Sequence, residues 1–239
     1  MPYLMAGYPS VETSRESALA AAEAGADLIE LGIPFSDPLA DGPVIHAAAT
    51  EALRAGVSVS DALAVCEAAA AELPVVLMVY ANPVLAHGPK HFARRAAGAG
   101  AAGIIVPDLP HDEAGGVRAA CDAEGIALVP LVAPTSTDER VTAIAHDARG
   151  FVYAVSLTGT TGERAELPPE LERTVERVQA STDLPVAVGF GVSSGEHARR
   201  VAAVADGVIV GSRVVRAAGE GGAAAVREVV SELARALAP

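Results

Sequence analysis

The sequence predicts an α/β chain folded as a closed barrel of eight parallel strands, and three observations carry that reading. Eight short β-branched or apolar runs alternate with stretches whose apolar residues repeat at helical spacing. The runs are apolar on nearly every residue, as parallel strands are when crossover helices cover both faces. The first run continues from Tyr3 to Ser10 with Gly7 as its one glycine, whereas an open doubly wound sheet usually places a glycine-rich turn there and has fewer strands. With 239 residues and no linker-like stretch, one core accommodates the whole chain, so residues 1–239 read as a single-domain (β/α)8 TIM barrel.

The strand runs are Tyr3 to Ala6, Leu28 to Leu31, Val75 to Tyr80, Gly103 to Val106, Ala127 to Val132, Phe151 to Ser156, Pro185 to Val188 and Gly207 to Val210. Helical spacing occupies Arg15 to Ala24, Asp61 to Leu73, Asp112 to Glu124 and Glu170 to Ala180. Capping-box spacing predicts helix starts at Thr13 with Glu16, Ser136 with Glu139 and Ser193 with Glu196. The longest interval separates the second and third strands. Ile33 to Gly56 is an insertion there, a proline-punctuated loop followed by a helical run from Val44 to Leu53. Long loops on such scaffolds normally serve a site. After the sixth strand, Leu157 to Arg164 forms a polar, glycine-hinged candidate lid.

Composition narrows the partners. Lys plus Arg number 17 against 30 Asp plus Glu, a net charge of −13, so the average field repels nucleic acid and anionic membrane. Neither aromatic platforms nor a basic stripe supports nucleic-acid binding. No signal-like N-terminus and no apolar run of about 18 residues is present, so no membrane role and a cytoplasmic location are expected. Cys66 and Cys121 are isolated in alanine-rich helical patterns and read as core or near-surface thiols in a reducing compartment. The six histidines lack metal-ligand spacing, so no metal site is expected.

The most informative segment is Glu30-Leu31-Gly32-Ile33-Pro34-Phe35-Ser36-Asp37-Pro38-Leu39-Ala40-Asp41-Gly42-Pro43. Glu30 interrupts an apolar strand, where an acid is costly unless it is solvated, paired or used. On a barrel strand it points inward near the C-terminal mouth, an environment that raises its pKa toward proton-transfer range. A structural hydrogen-bonding carboxylate is the alternative. Asp41, eleven residues on, either binds substrate or organises an Asp-Gly turn. Gly159 to Gly162, Gly189 to Ser193, and Gly211-Ser212 follow barrel strands, and their amides are expected to converge on an anion above the last two. Ser212 adds a hydroxyl at the start of a short helix. Each glycine alone is also explained by a turn.

With these residues in view, the chain resembles the alpha subunit of tryptophan synthase over essentially its whole length. The Glu30 to Pro43 run looks like that family's signature. The likeness continues through Pro2 to Gly7, Tyr80-Ala81-Asn82-Pro83, Val106 to Pro110, Tyr153, Thr158 to Gly162, Gly189-Phe190-Gly191 and Gly211-Ser212. It implies cleavage of indole-3-glycerol phosphate to indole and glyceraldehyde 3-phosphate. Indole then passes to a beta subunit that carries pyridoxal phosphate, in an alpha2-beta2 complex, and no cofactor is expected in this chain. By the same resemblance Glu30 is the acid-base group and Asp41 binds the indole nitrogen. Tyr3 and Tyr153 lie beside the substrate. Gly162, Gly191, Gly211 and Ser212 hold phosphate, and Asp37, Pro38 and Thr161 belong to the lid and the partner contact.

The sequence departs from the family pattern in places. Leu157 stands where some members have arginine, and Thr160 replaces a commoner valine, which bears on lid closure. His46 stands where glutamine is frequent, and Arg213 adds charge beside the expected phosphate site. The chain starts almost on its first strand, so the helix that covers the barrel's N-terminal face in the family is expected to be absent or truncated. Three other functions compete: a stand-alone indole-3-glycerol phosphate lyase, a noncatalytic activator of a beta subunit, and a generic phosphate-binding barrel isomerase.

Overall fold

The computed structural model describes residues 1–155, 169–189 and 191–238. The strands are β1 (Tyr3–Met5), β2 (Ile29–Gly32), β3 (Val75–Met78), β4 (Gly103–Ile105), β5 (Ala127–Val129), β6 (Leu131–Val132), β7 (Val152–Val155), β8 (Val186–Gly189) and β9 (Gly207–Ile209). All pair in parallel, β1 to β5 in one set and β6 to β9 in another. The two sets are one barrel. β5 and β6 are halves of a single stave interrupted at Pro130, which has no N–H to give and whose carbonyl accepts from Tyr153 N at 3.0 Å. On the other side Pro2 bridges to Val210, with Tyr3 N donating to Val210 O at 2.9 Å.

The helices are α1 (Val11–Glu23), α2 (Pro43–Arg54), α3 (Val59–Ala70), α4 (Ala81–His87), α5 (Pro89–Gly98), α6 (Gly115–Ala123), α7 (Asp138–Asp147), α8 (Pro169–Gln179), α9 (Gly195–Ala202) and α10 (Ser212–Leu237). The Ile33 to Gly56 insertion ends in α2, as its spacing predicts. α10 is longer than the short helix expected at Ser212, but non-helical backbone at Gly222 divides it, so its first segment is short.

Three helix starts differ from the predicted ones. α1 is capped by Ser10, α7 by Thr137 and α9 by Ser194, each side-chain oxygen accepting the amide three residues on. Thr13, Ser136 and Ser193 each lie within three residues of the hydroxyl that caps. The spacing cannot say which neighbour takes the extended backbone a cap requires. The reciprocal capping box forms at Ser58 with Asp61 instead.

Strand alternation sorts the core into layers. Ile29, Leu31, Val75, Leu77 and Ile104 belong to the cluster shared with the helices. Val76, Ile105, Val129, Tyr153, Ala187 and Ile209 form a separate cluster inside the barrel. Cys66 and Cys121 are buried and free, and burial pushes both thiols up to about 12, which leaves them as inert packing groups.

Candidate active site

The same alternation delivers Glu30. Its neighbours Ile29 and Leu31 pack outward, so Glu30 faces the lumen, in register with Tyr3 on β1 and Val76 on β3. It is 1% exposed, and neither carboxylate oxygen has a hydrogen-bond partner among the described residues. Burial, then the charge of Asp41, raises its pKa from 4.5 to about 8. A structural carboxylate at this depth would be hydrogen-bonded. Glu30 is therefore a protonated acid at neutral pH that nothing in the described protein satisfies.

Two glycines make room for two tyrosines. A Cβ on Gly32, at the end of β2, would overlap the Tyr3 hydroxyl, and one on Gly189, at the end of β8, would overlap the Tyr153 hydroxyl. Each tyrosine leans over the end of the neighbouring strand into the mouth. Both are buried, and burial foremost raises both phenol pKa values well above 10.0.

Asp41 sits in the insertion loop just before α2. The Tyr80 hydroxyl accepts the Ala40 amide at 3.1 Å and hydrogen-bonds the Asp41 carboxylate, while its ring stacks on Phe35 with centroids 5.2 Å apart. Burial raises the pKa of Asp41, and the Tyr80 hydrogen bond and the charge of His46 hold the rise in check. Both acids are thus raised, by burial foremost, and Asp41 has in Tyr80 and His46 a hydrogen bond and a charge that work against the rise. Sequence reasoning missed this part of Tyr80. Its one visible signal was an aromatic at the mouth end of a strand.

Gly191, Gly211 and Ser212 line the same cavity as Glu30, Asp41, Tyr3 and Tyr153, a space of about 200 Å³. Met78, Leu131, Val155 and Ile209 give it apolar walls suited to a flat ring. Gly211 is the N-cap of α10 with no side-chain cap, so first-turn amides remain for an anion, and the Ser212 hydroxyl is buried without a partner among the described residues. A larger cavity of about 790 Å³ adjoins it and shares Ala40, Asp41, Pro107, Leu131 and Val155. Of the two, the smaller one is lined by Glu30.

On the rim, Asp37 is exposed, Pro38 is half-buried, and Leu39 is 88% exposed. Gly162 and Thr161, with Leu157, Thr160 and the rest of the candidate lid, lie outside the described residues. Among the described residues no group of His, Cys, Asp or Glu is placed to hold a metal ion. Nor is any described helix long and apolar enough to cross a membrane.

A family model described as tryptophan synthase alpha chain matches residues 1–237. The chain belongs to the tryptophan synthase alpha chain family. It is 46% identical over 240 residues to the tryptophan synthase alpha chain of Synechococcus elongatus, covering 99% of this chain and 90% of that one. Its identity to the tryptophan synthase alpha chain of Methanosarcina mazei is 46% over 236 residues, 98% of this chain and 86% of that one. Among solved structures, Mycobacterium tuberculosis tryptophan synthase superposes with a TM-score of 0.92 at 47% identity, covering 99% of this chain and 91% of that chain. The tryptophan synthase α2β2 complex of Pyrococcus furiosus gives a TM-score of 0.90 at 40% identity, covering 97% and 96%. The expected fold is thereby borne out, and the run from Glu30 to Asp41 carries both acids into one cavity.

Proposed function

We propose that this tryptophan synthase alpha chain cleaves indole-3-glycerol phosphate to indole and glyceraldehyde 3-phosphate, with Glu30 as the acid-base group and Asp41 as the ring-nitrogen ligand. One observation carries the assignment. A fully buried carboxyl with its pKa near 8 and no hydrogen-bond partner among the described residues opens onto the cavity that also holds Asp41 and the glycine-lined anion nest.

The chemistry follows from the protonation states. Protonation of indole C3 turns the ring into an electron sink with positive charge at its nitrogen. The carboxylate of Asp41 stabilises that charge as it develops. Loss of the proton from the adjacent glycerol hydroxyl then sends its electrons into a carbonyl, the C–C bond breaks, and its pair restores the aromatic ring. One proton is given and one is taken, so a single carboxyl that cycles between the two positions ends as it began. Gly191, Gly211 and Ser212 hold the phosphate end, and Gly162 is assigned there with them. Tyr3 and Tyr153 flank the reacting atoms. This route asks for no cofactor in the chain itself.

The whole chain acts as one barrel domain in the cytoplasm, and its partner is a beta subunit that would carry pyridoxal phosphate and take up the indole. Contact is through the C-terminal face, where Asp37 and Pro38 lie on the rim, and Thr161 is assigned to the contact by the family resemblance. A noncatalytic activator would not need both acids in a substrate-sized cavity. A stand-alone lyase would use the same acids without a partner. Indole release from indole-3-glycerol phosphate, measured with and without the cognate beta subunit, separates these. Turnover that is slow alone and strongly accelerated by the beta subunit supports the subunit role, full turnover alone supports the stand-alone lyase, and no indole under either condition overturns the assignment.

A further inference from the structure

We propose that Arg213 sets the affinity of the cavity for the phosphate end of the substrate, and that Glu232 positions its guanidinium for that purpose; the proposal rests on the reaction assigned above. Arg213 lines the cavity together with Gly191, Gly211 and Ser212, one residue past the buried, unpartnered Ser212 hydroxyl. Its side chain is 21% exposed, and it meets Glu232 through both terminal nitrogens, Nη1 to Oε1 at 3.1 Å and Nη2 to Oε2 at 2.5 Å. Such fork-to-fork pairing fixes the plane of the guanidinium as well as its place.

Glu232 is itself anchored. It belongs to the second segment of α10, and besides the Arg213 hydrogen bond it accepts one from the backbone amide of Gly195, the first residue of α9. A Cβ on Gly195 would meet Ala236, so the start of α9 lies directly on this segment. The pair therefore joins the starts of α9 and α10, the two helices that follow the phosphate-side loops after β8 and β9. Three residues beyond Arg213, on the same helical face, Arg216 also lines the cavity.

Electrostatics gives this placement a purpose. The chain carries a net charge of −13, and Asp41 lines the same cavity. A phosphate dianion has to enter against that field. Backbone amides direct the anion but carry only partial charges. A guanidinium fixed at the same end adds a positive pole and the N–H donors that Glu232 leaves unused, its charge partly offset by that carboxylate, and its bond to Glu232 keeps it from folding onto the two acids across the cavity.

The test uses the complex with the cognate beta subunit and three readouts: cleavage of indole-3-glycerol phosphate, inhibition by glycerol 3-phosphate, which offers only the phosphate end, and inhibition by indole, which offers only the ring. Arg213→Ala is expected to raise both KM and the glycerol 3-phosphate inhibition constant about 10-fold, the scale of a charge-assisted hydrogen bond, with kcat and indole inhibition nearly unchanged. Arg213→Lys should recover part of the loss. Glu232→Gln should alter glycerol 3-phosphate inhibition in the wild-type background and have no such effect when combined with Arg213→Ala, which a separate structural role would not produce. If Arg213→Ala does not fold, Arg213→Gln, which keeps the stem and a hydrogen bond to Glu232, is read the same way. Unchanged glycerol 3-phosphate inhibition, or an equal loss of indole and glycerol 3-phosphate binding, overturns the proposal. Failure of the wild-type protein to cleave substrate would instead overturn the assigned reaction, so the two failures are distinct.

Discussion

The Tyr80 hydroxyl accepts the amide of Ala40 at 3.1 Å, one residue before Asp41, and so ties the end of β3 to the loop that carries the second acid. The same hydroxyl hydrogen-bonds the Asp41 carboxylate and opposes the rise that burial imposes on its pKa. Tyr80→Phe keeps the ring that stacks on Phe35 and removes both interactions. A lost hydrogen bond to a charged group is worth about 1.5–3 kcal/mol, so single-turnover cleavage should fall roughly 10-fold or more. The pH below which cleavage fails should also move upward, because Asp41 must stay ionised. A folded variant with an unshifted profile would show that Asp41 does not depend on Tyr80.

Glu30 makes stability depend on pH in a stated direction. Its pKa is about 8 in the folded chain against an ordinary 4.5. Between those values the folded chain holds a proton that the unfolded chain lacks, so this group's stabilising contribution is complete below 4.5 and is lost as pH rises toward 8. Glu30→Gln cannot titrate. Relative to wild type, the variant should gain stability from pH 5 to pH 9, at up to about 1.4 kcal/mol per pH unit inside the window. Urea unfolding at three pH values measures this, and a constant difference between the two proteins would mean that Glu30 is not buried as a neutral acid. The same variant should lose roughly 10²–10⁴-fold in cleavage while binding substrate.

Much of this was legible in the sequence, for identifiable reasons. The eight staves were readable because parallel strands under helices are apolar throughout, and Glu30 stood out because it breaks such a run. The interruption at Pro130 falls inside one predicted strand, since a missing amide alters the ladder without altering hydropathy. The caps went to Ser10, Thr137 and Ser194 rather than to nearby hydroxyls, because cap choice turns on the backbone angles of one residue. The role of Tyr80 was not readable beyond its being an aromatic at the mouth end of a strand. It joins the end of β3 to a loop forty residues earlier, and only the pairing of β2 with β3 brings them together.

The glycine-lined end of the cavity gives a substitution that separates binding from folding. Gly211 has an ordinary negative φ of −96°, and a Cβ there would meet Ile45 Cδ1 at 3.2 Å, a contact that a small side-chain shift relieves. Gly211→Asp should therefore fold while placing a negative charge in the anion nest. KM for indole-3-glycerol phosphate is expected to rise at least about 10-fold, the scale of one lost charge-assisted contact. Gly189→Ala makes the contrast, since its Cβ would overlap the Tyr153 hydroxyl and the cost should appear in melting temperature as well. A folded Gly211→Asp protein with unchanged KM would remove this glycine from the phosphate site.

Leu39 offers the clearest test of where a beta subunit docks. It is 88% exposed at the C-terminal mouth, next to Pro38 and two residues before Asp41, so the side chain is in water while its loop holds the proposed ring-nitrogen ligand. Fully burying a leucine contributes about 1.5–3 kcal/mol, so a partner that covers it should lose roughly 10- to 100-fold in affinity for Leu39→Asp. The variant should fold normally, since nothing in the core changes. Calorimetric titration with the beta subunit measures the loss, and hydrogen exchange in the complex should protect the loop from Asp37 to Asp41. If affinity is unchanged and protection appears only on the opposite end of the barrel, the partner does not bind at the mouth. Activation of Glu30 and Asp41 by the beta subunit would then need a route through the barrel rather than direct closure of this loop.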